Sequence, residues 1–197
     1  MLCAQVRNAD ESFERALPLQ PSGEWRAAED ANRRHLKRYG PQAEVLANLA
    51  AVLVQQDRFA DATVSYREGL RLAPQLLPLR LNLGLAFFKS GQLAPVAEQF
   101  TVILEKQPRH SQARPLRAIC NFELERYDEA ARDYAALMPS ADANVPIGLA
   151  SAYLRLKRYR ESRQIIDTPM ESDSAPVKLR LGQMHVENGQ WSRLFRC

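Results

Sequence analysis

The sequence predicts an all-α, right-handed superhelical solenoid of five to six helix–turn–helix repeats, and three observations support this. The first is the stretch 43–74, AEVLANLAAVLVQQDRFADATVSYREGLRLAP. Leu46, Leu49, Ala50 and Leu53 recur at the spacing of one helical face. The polar run Gln55-Gln56-Asp57-Arg58 breaks that face, and a second stripe follows in Phe59, Ala62, Tyr66 and Leu70. Pro74 ends it, because proline cannot continue a helix. The second observation is a ruler. The apolar residues that follow each expected turn are Trp25, Phe59, Leu93, Tyr127, Tyr159 and Trp191. They recur with a period of about 34 residues, the last two steps slightly shorter. A near-constant period of this length marks stacked units, each too small to bury its own apolar face. The third is that all 12 prolines fall at helix starts, helix ends or loops under this parsing. An interior proline would cost about 3 kcal/mol.

The elements follow in order. Residues 1–8 are read as a frayed N-terminus. Residues 9–42 form an incomplete first repeat, with a short helix over 9–20, a loop set by Pro18 and Pro21, and a second helix over 24–39 that turns Trp25 and Ala28 inward. Gly40-Pro41 ends it. Residues 43–76 and 77–110 are full repeats, the latter with helices over 78–90 and 94–107. Pro78 and Pro95 lie at helix starts, where a missing N–H costs little. Residues 111–142 form a degenerate repeat with helices over 113–124 and 128–138. Arg117 and Asn121 fall at places expected to be apolar, and Leu116, Ile119 and Phe122 suggest a register slipped by one residue. Residues 143–174 form a shorter repeat, whose second helix stops near Asp167 before Pro169. Residues 175–197 are read as a truncated last repeat. Trp191, Leu194 and Phe195 are expected either to fray, to pack on a partner or a second copy, or to continue into a longer protein.

These residues resemble the tetratricopeptide repeat (TPR) family. The resemblance rests on Leu83-Gly84, Phe100 and Pro108 in one unit and on Leu49-Ala50, Ala62, Tyr66 and Pro74 in the unit before it. It implies that the first helices of successive repeats line a concave groove. The groove positions it assigns are Glu44, Ala47, Asn48, Ala51, Val54 and Gln55, then Pro78, Leu81, Asn82, Leu85, Phe88 and Lys89. Ile147, Ser151, Leu154 and Arg155 follow in the fifth unit, and Leu179, Arg180, Gln183, Val186 and Glu187 in the sixth. Asn48 and Asn82 lie one period apart at the same groove position. An asparagine amide can both donate to and accept from a peptide backbone whatever its sequence. The pair is similar to the asparagine ladder of O-linked N-acetylglucosamine transferases, with Leu116 and Gly148 at the next two places. Leu81, Leu85 and Phe88, with Ile119, Phe122 and Leu154, are expected to present an apolar strip, unless Phe88 and Phe122 pack between repeats. The cation clamp of chaperone-cofactor repeats is not recognisable.

Charge and composition narrow the function. The 197 residues are 46% hydrophobic and 25% charged with net charge +4, which is ordinary for a folded chain and too weakly basic to imply nucleic acid. Cys3, Cys120 and Cys197 lie too far apart for a CxxC pair, so neither a disulfide framework nor a zinc site is expected. Cys120 reads as a small buried side chain. No run approaches the roughly 20 apolar residues of a membrane span. The start MLCAQVRNADESFERAL lacks a basic region followed by an apolar one. A cytoplasmic location is expected, with an upstream leader left open.

His35, His110 and His185 have no second histidine at ligand spacing, and there is no glycine-rich phosphate loop or Gly-x-Ser-x-Gly elbow. His185 reads as a packed core residue. The expectation is therefore a non-catalytic scaffold, without cofactor or metal, that binds a protein or peptide partner. The groove residues are Asn48, Gln55, Leu81, Asn82, Leu85, Phe88, Lys89, Leu154 and Arg155. Self-association through the C-terminal end is a further possibility. One alternative is an accessory region of a larger enzyme, such as a glycosyltransferase or peptidase. Another is a weak RNA binder using Arg155, Lys157, Arg158, Arg160 and Arg163 with the basic run 33–38. Base stacking would need interleaved aromatics, which that face lacks.

Overall fold

A computed structural model describes residues 24–140, 142–168, 183–184 and 186–187. The expected helix over 9–20, His185 and the C-terminal end lie outside these. The described residues contain nine ordered helices and no strand: α1 (Trp25–Tyr39), α2 (Ala43–Gln55), α3 (Phe59–Leu72), α4 (Leu77–Lys89), α5 (Leu93–Lys106), α6 (Ala113–Glu123), α7 (Tyr127–Ala135), α8 (Asn144–Arg155) and α9 (Tyr159–Ile166). The chain divides between Gln99 and Phe100 into two compact units.

Each first helix of a repeat closes with the same turn. After α2, the Asp57 N–H donates to the Val54 carbonyl, and the Arg58 N–H reaches back to Leu53 at 2.9 Å. Gly91 and Gln92, Glu125 and Arg126, and Lys157 and Arg158 repeat this pair of bonds after α4, α6 and α8. The two bonds satisfy carbonyls that a helix end leaves bare, and they require one residue in the left-handed region. That residue is Asp57 (φ 58°), Gly91 (φ 73°), Glu125 (φ 59°) or Lys157 (φ 60°). Only one of the four is the glycine that such backbone favours.

In the first unit α2 packs on α1 and α3, α3 on α4, and α2 touches α4. Leu46, Leu49, Ala50 and Leu53 of α2 are buried with Ala62 and Tyr66 of α3 and Leu79, Leu83, Ala86 and Phe87 of α4. Burying each large aliphatic or aromatic side chain contributes about 1.5–3 kcal/mol. Gly69 of α3 lies against its neighbours, where a Cβ would come 2.9 Å from Leu79 Cδ2 of α4 and 3.4 Å from the Ala43 carbonyl oxygen of α2. A buried carboxylate ties α1 to the α2–α3 turn. Glu29 accepts from Arg33 Nε at 2.8 Å, Gln56 Nε2 at 3.0 Å and Arg58 Nη1 at 2.8 and 2.9 Å.

In the second unit α6 packs on α7, α7 on α8 and α8 on α9. Ala118, Ala130, Ala131, Tyr134, Val145, Leu149 and Ala152 form one apolar cluster, and Ala150, Ile166 and Met184 form another. Gly148 sits against the Tyr134 ring, where a Cβ would come within 2.5–2.8 Å of three ring atoms.

The register slip expected in the fourth repeat does not occur. Ala118 and Asn121 are 0% and 5% exposed, and Ile119 is 40% exposed. The original register holds because Arg117, in the column of Leu49 and Leu83, is neutralised. Its Nε and Nη2 donate to the two oxygens of buried Asp133, each at 2.7 Å, and its Nη1 donates to Thr101 Oγ1 at 3.0 Å. A second arginine recurs with the period. Arg80 Nη1 donates to Gln99 at 2.9 Å, and its Nη2 reaches the Pro74 carbonyl. Arg114, one period later, donates to Asp133 at 3.0 Å and to the Pro108 carbonyl at 2.7 Å.

Candidate functional site

The first unit presents most of the expected groove residues on two helices that touch, α2 and α4. Both helices carry apolar stripes that bury one side, which turns the remaining polar and small side chains outward. Asn48 is half-buried on α2 and Asn82 is exposed on α4. Neither amide is hydrogen-bonded among the described residues. Ala47, Ala51 and Val54 of α2 are half-buried, as are Leu81, Leu85 and Phe88 of α4. Gln55 and Lys89 are exposed at the last turns of their helices. Gln55 also lines a cleft of about 700 Å³ with Gln56, Glu24, Trp25, Arg26 and Ala27.

The second unit holds the remaining candidates on α8. Leu154 is half-buried and packs against Ala150, Ile166 and Met184, while Arg155 is exposed. Phe122 packs in the interior, edge-on to Tyr127 at 5.4 Å and against the Ala118–Tyr134 cluster. At the two places following Asn48 and Asn82 in the period, Leu116 is half-buried and Gly148 is filled by the Tyr134 ring.

The basic run at the end of α8 is partly self-satisfied. Arg158 donates to Glu161 at 2.9 Å and stacks 4.4 Å above the Tyr153 ring, and Arg163 lies 3.7 Å from Asp167. Burial with the nearby Glu123 charge pushes the Cys120 thiol up to about 11, which keeps it un-ionised at neutral pH. Among the described residues no group of three or more His, Cys, Asp or Glu side chains could hold a metal ion. No described helix is long and apolar enough to cross a membrane.

Two clusters escaped sequence reading, those around Glu29 and Asp133. Both join residues far apart in the chain. The signal for the second was an arginine in an apolar column opposite an aspartate in the second helix of the same repeat.

No family model matches the chain. Solved structures do. It is similar to MamA at 13% identity over 96% of each chain, with a TM-score of 0.70. It is similar to YrrB, described as a TPR protein with an unusual peptide-binding site, at 16% identity over 92% of this chain and 90% of that one, with a TM-score of 0.71. A tetratricopeptide repeat protein from Parabacteroides merdae matches at 20% identity over 93% and 73%, with a TM-score of 0.61.

Proposed function

We propose that this chain, whose fold is that of the tetratricopeptide repeat proteins, is a non-catalytic scaffold that holds a peptide segment of a protein partner on the α2–α4 face. The observation that carries the reading is the pair of amides, Asn48 and Asn82, that have no hydrogen-bond partner among the described residues and stand at one repeat position on two helices in contact. Each amide offers a donor and an acceptor to a peptide backbone. Half-buried Leu81, Leu85 and Phe88 beside them suit aliphatic side chains of the ligand. Glu44 and Lys89 are the only charged residues at the groove positions of these two helices. A chain-terminal carboxylate would need a cluster of cations, so an internal, weakly charged segment suits the face better. Leu154 and Arg155 are assigned a similar contacting role on the second unit. YrrB supports the reading by analogy only, through the peptide-binding site attributed to it.

The test is capture of partners by the purified chain, read by mass spectrometry, with two variants. Asn48→Ala with Asn82→Ala removes the amides without touching the core. Asn82→Ala with Phe88→Ala removes one amide and the apolar neighbour. Loss of the same partner from both, with the helical circular dichroism unchanged, is the expected result. Undiminished capture by both variants overturns the groove assignment.

A further inference from the structure

The outer faces of α1 and α3 carry a charge pattern that the helix packing does not require. Arg33 and Lys37 lie one turn apart on α1, and Arg67 and Arg71 occupy the same positions one period later on α3. All four are exposed. Arg34 and Arg38 add to the positive charge of these helices, and Asp30 and Glu68 offset part of it. The next steps of the period bring Thr101 with Glu105 and then Ala135 with Pro139, so the fold tolerates other residues there. Arg33 is bound to Glu29 at 2.8 Å, and Arg67 lies 5.3 Å above the Phe87 ring. Lys37 and Arg71 form no ion pair among the described residues. Two aliphatic side chains stand among these cations on α3, Val64 at 62% and Leu72 at 40% exposure. Val64 falls at the repeat position that Asp30 and Glu98 occupy in the neighbouring repeats, so its exposure breaks a charged column.

We propose that this face, distinct from the α2–α4 groove, docks an acidic protein segment carrying aliphatic side chains. Cations at one-turn spacing match carboxylates of the opposite sign, and Val64 and Leu72 supply the apolar contact that sets register. Single-stranded nucleic acid fits less well, because among the described residues no exposed aromatic stands between the arginines for bases to stack on. An anionic bilayer fits less well too, since a plane of one sign would meet Asp30 and Glu68 with repulsion. A peptide can place a polar or basic residue opposite each.

The experiment titrates the intact chain into a fluorescently labelled peptide of alternating Glu and Leu blocks and reads anisotropy. Lys37→Glu with Arg71→Glu is compared with Lys157→Glu plus Arg160→Glu, which makes the same charge change elsewhere. The first pair is expected to weaken binding about ten-fold or more, and the second about two-fold or less, because contact charges outweigh the net field at moderate salt. Equal weakening by both pairs overturns the proposal, as does absence of binding. Tighter binding to oligouridylate or to phosphatidylserine vesicles than to the peptide also overturns it.

Discussion

Arg117 grips Asp133 through two parallel contacts of 2.7 Å, inside a unit where the same column elsewhere holds leucine. The aspartate side chain is 3% exposed and the arginine 20%. An ion pair at such depth is held by its geometry rather than by net gain, since desolvating both charges costs as much as their attraction returns.

Removing one partner should therefore hurt far more than removing both. Asp133→Ala strands Arg114 and Arg117 and should lower stability by about 3–5 kcal/mol. Arg117→Leu with Asp133→Gln installs the Leu83 and Gln99 pattern of the preceding repeat, in which Arg80 bonds Gln99. That double variant should match or exceed the parent chain in urea unfolding. A double variant as damaged as the single one would show that the charges themselves stabilise the unit.

This pair also shows what the sequence could and could not disclose. The period, the turns and the helix ends were legible because they rest on local rules: apolar spacing, proline positions and the polar turn after each first helix. Arg117 was visible as a misfit but not as half of a pair, because its partner lies on the next helix and neither residue type has a local preference for burial. The slipped register followed from that gap, since without Asp133 the only apolar stripe to be found in α6 was Leu116, Ile119 and Phe122. That Asn48 and Asn82 share one repeat position was legible from the period alone. The exposure of Val64 was not, since an apolar residue in an amphipathic helix is taken as inward until the packing says otherwise.

The four equivalent turns make a matched series. Glu125 and Lys157 hold φ of 59° and 60°, where a side chain costs about 1–2 kcal/mol that glycine avoids. Lys157→Gly and Glu125→Gly should each stabilise by about 0.5–1 kcal/mol, after the added freedom of the unfolded chain is subtracted. Gly91→Ala should destabilise by about 1 kcal/mol through backbone strain alone, because nothing lies within 4 Å of the added Cβ. Thermal unfolding of the three variants reads the sign directly.

Gly148 lies directly against the Tyr134 ring. An added methyl would sit 2.5 Å from Tyr134 Cζ and 2.6 Å from Cε1. Gly148→Ala should cost about 1–3 kcal/mol as overpacking. Tyr134→Leu in the same chain should recover part of that loss, so the two changes together should cost less than their sum. Additive costs would mean that the helix shifts to admit the methyl and that the ring is not the obstacle.

Glu29 should contribute to the acid response of the first unit. Burial alone would raise its pKa, but hydrogen bonds from Arg33, Gln56 and Arg58, with the charge of Arg58, hold it below the ordinary carboxylate value. A group whose folded pKa is depressed binds its proton more readily in the unfolded chain. Its contribution is therefore complete above the unfolded carboxylate pKa and is lost as the pH falls through the lower folded value. Glu29→Gln keeps the shape and one acceptor oxygen but removes the charge. At neutral pH it should cost about 1.5–3 kcal/mol, the scale of hydrogen bonds to a charged group. Between pH 5 and pH 3 its unfolding midpoint should fall less steeply than that of the parent chain, by about the contribution of one shifted carboxylate. Parallel midpoint curves for the two chains would remove Glu29 from the acid response and leave the α1 junction to its apolar contacts.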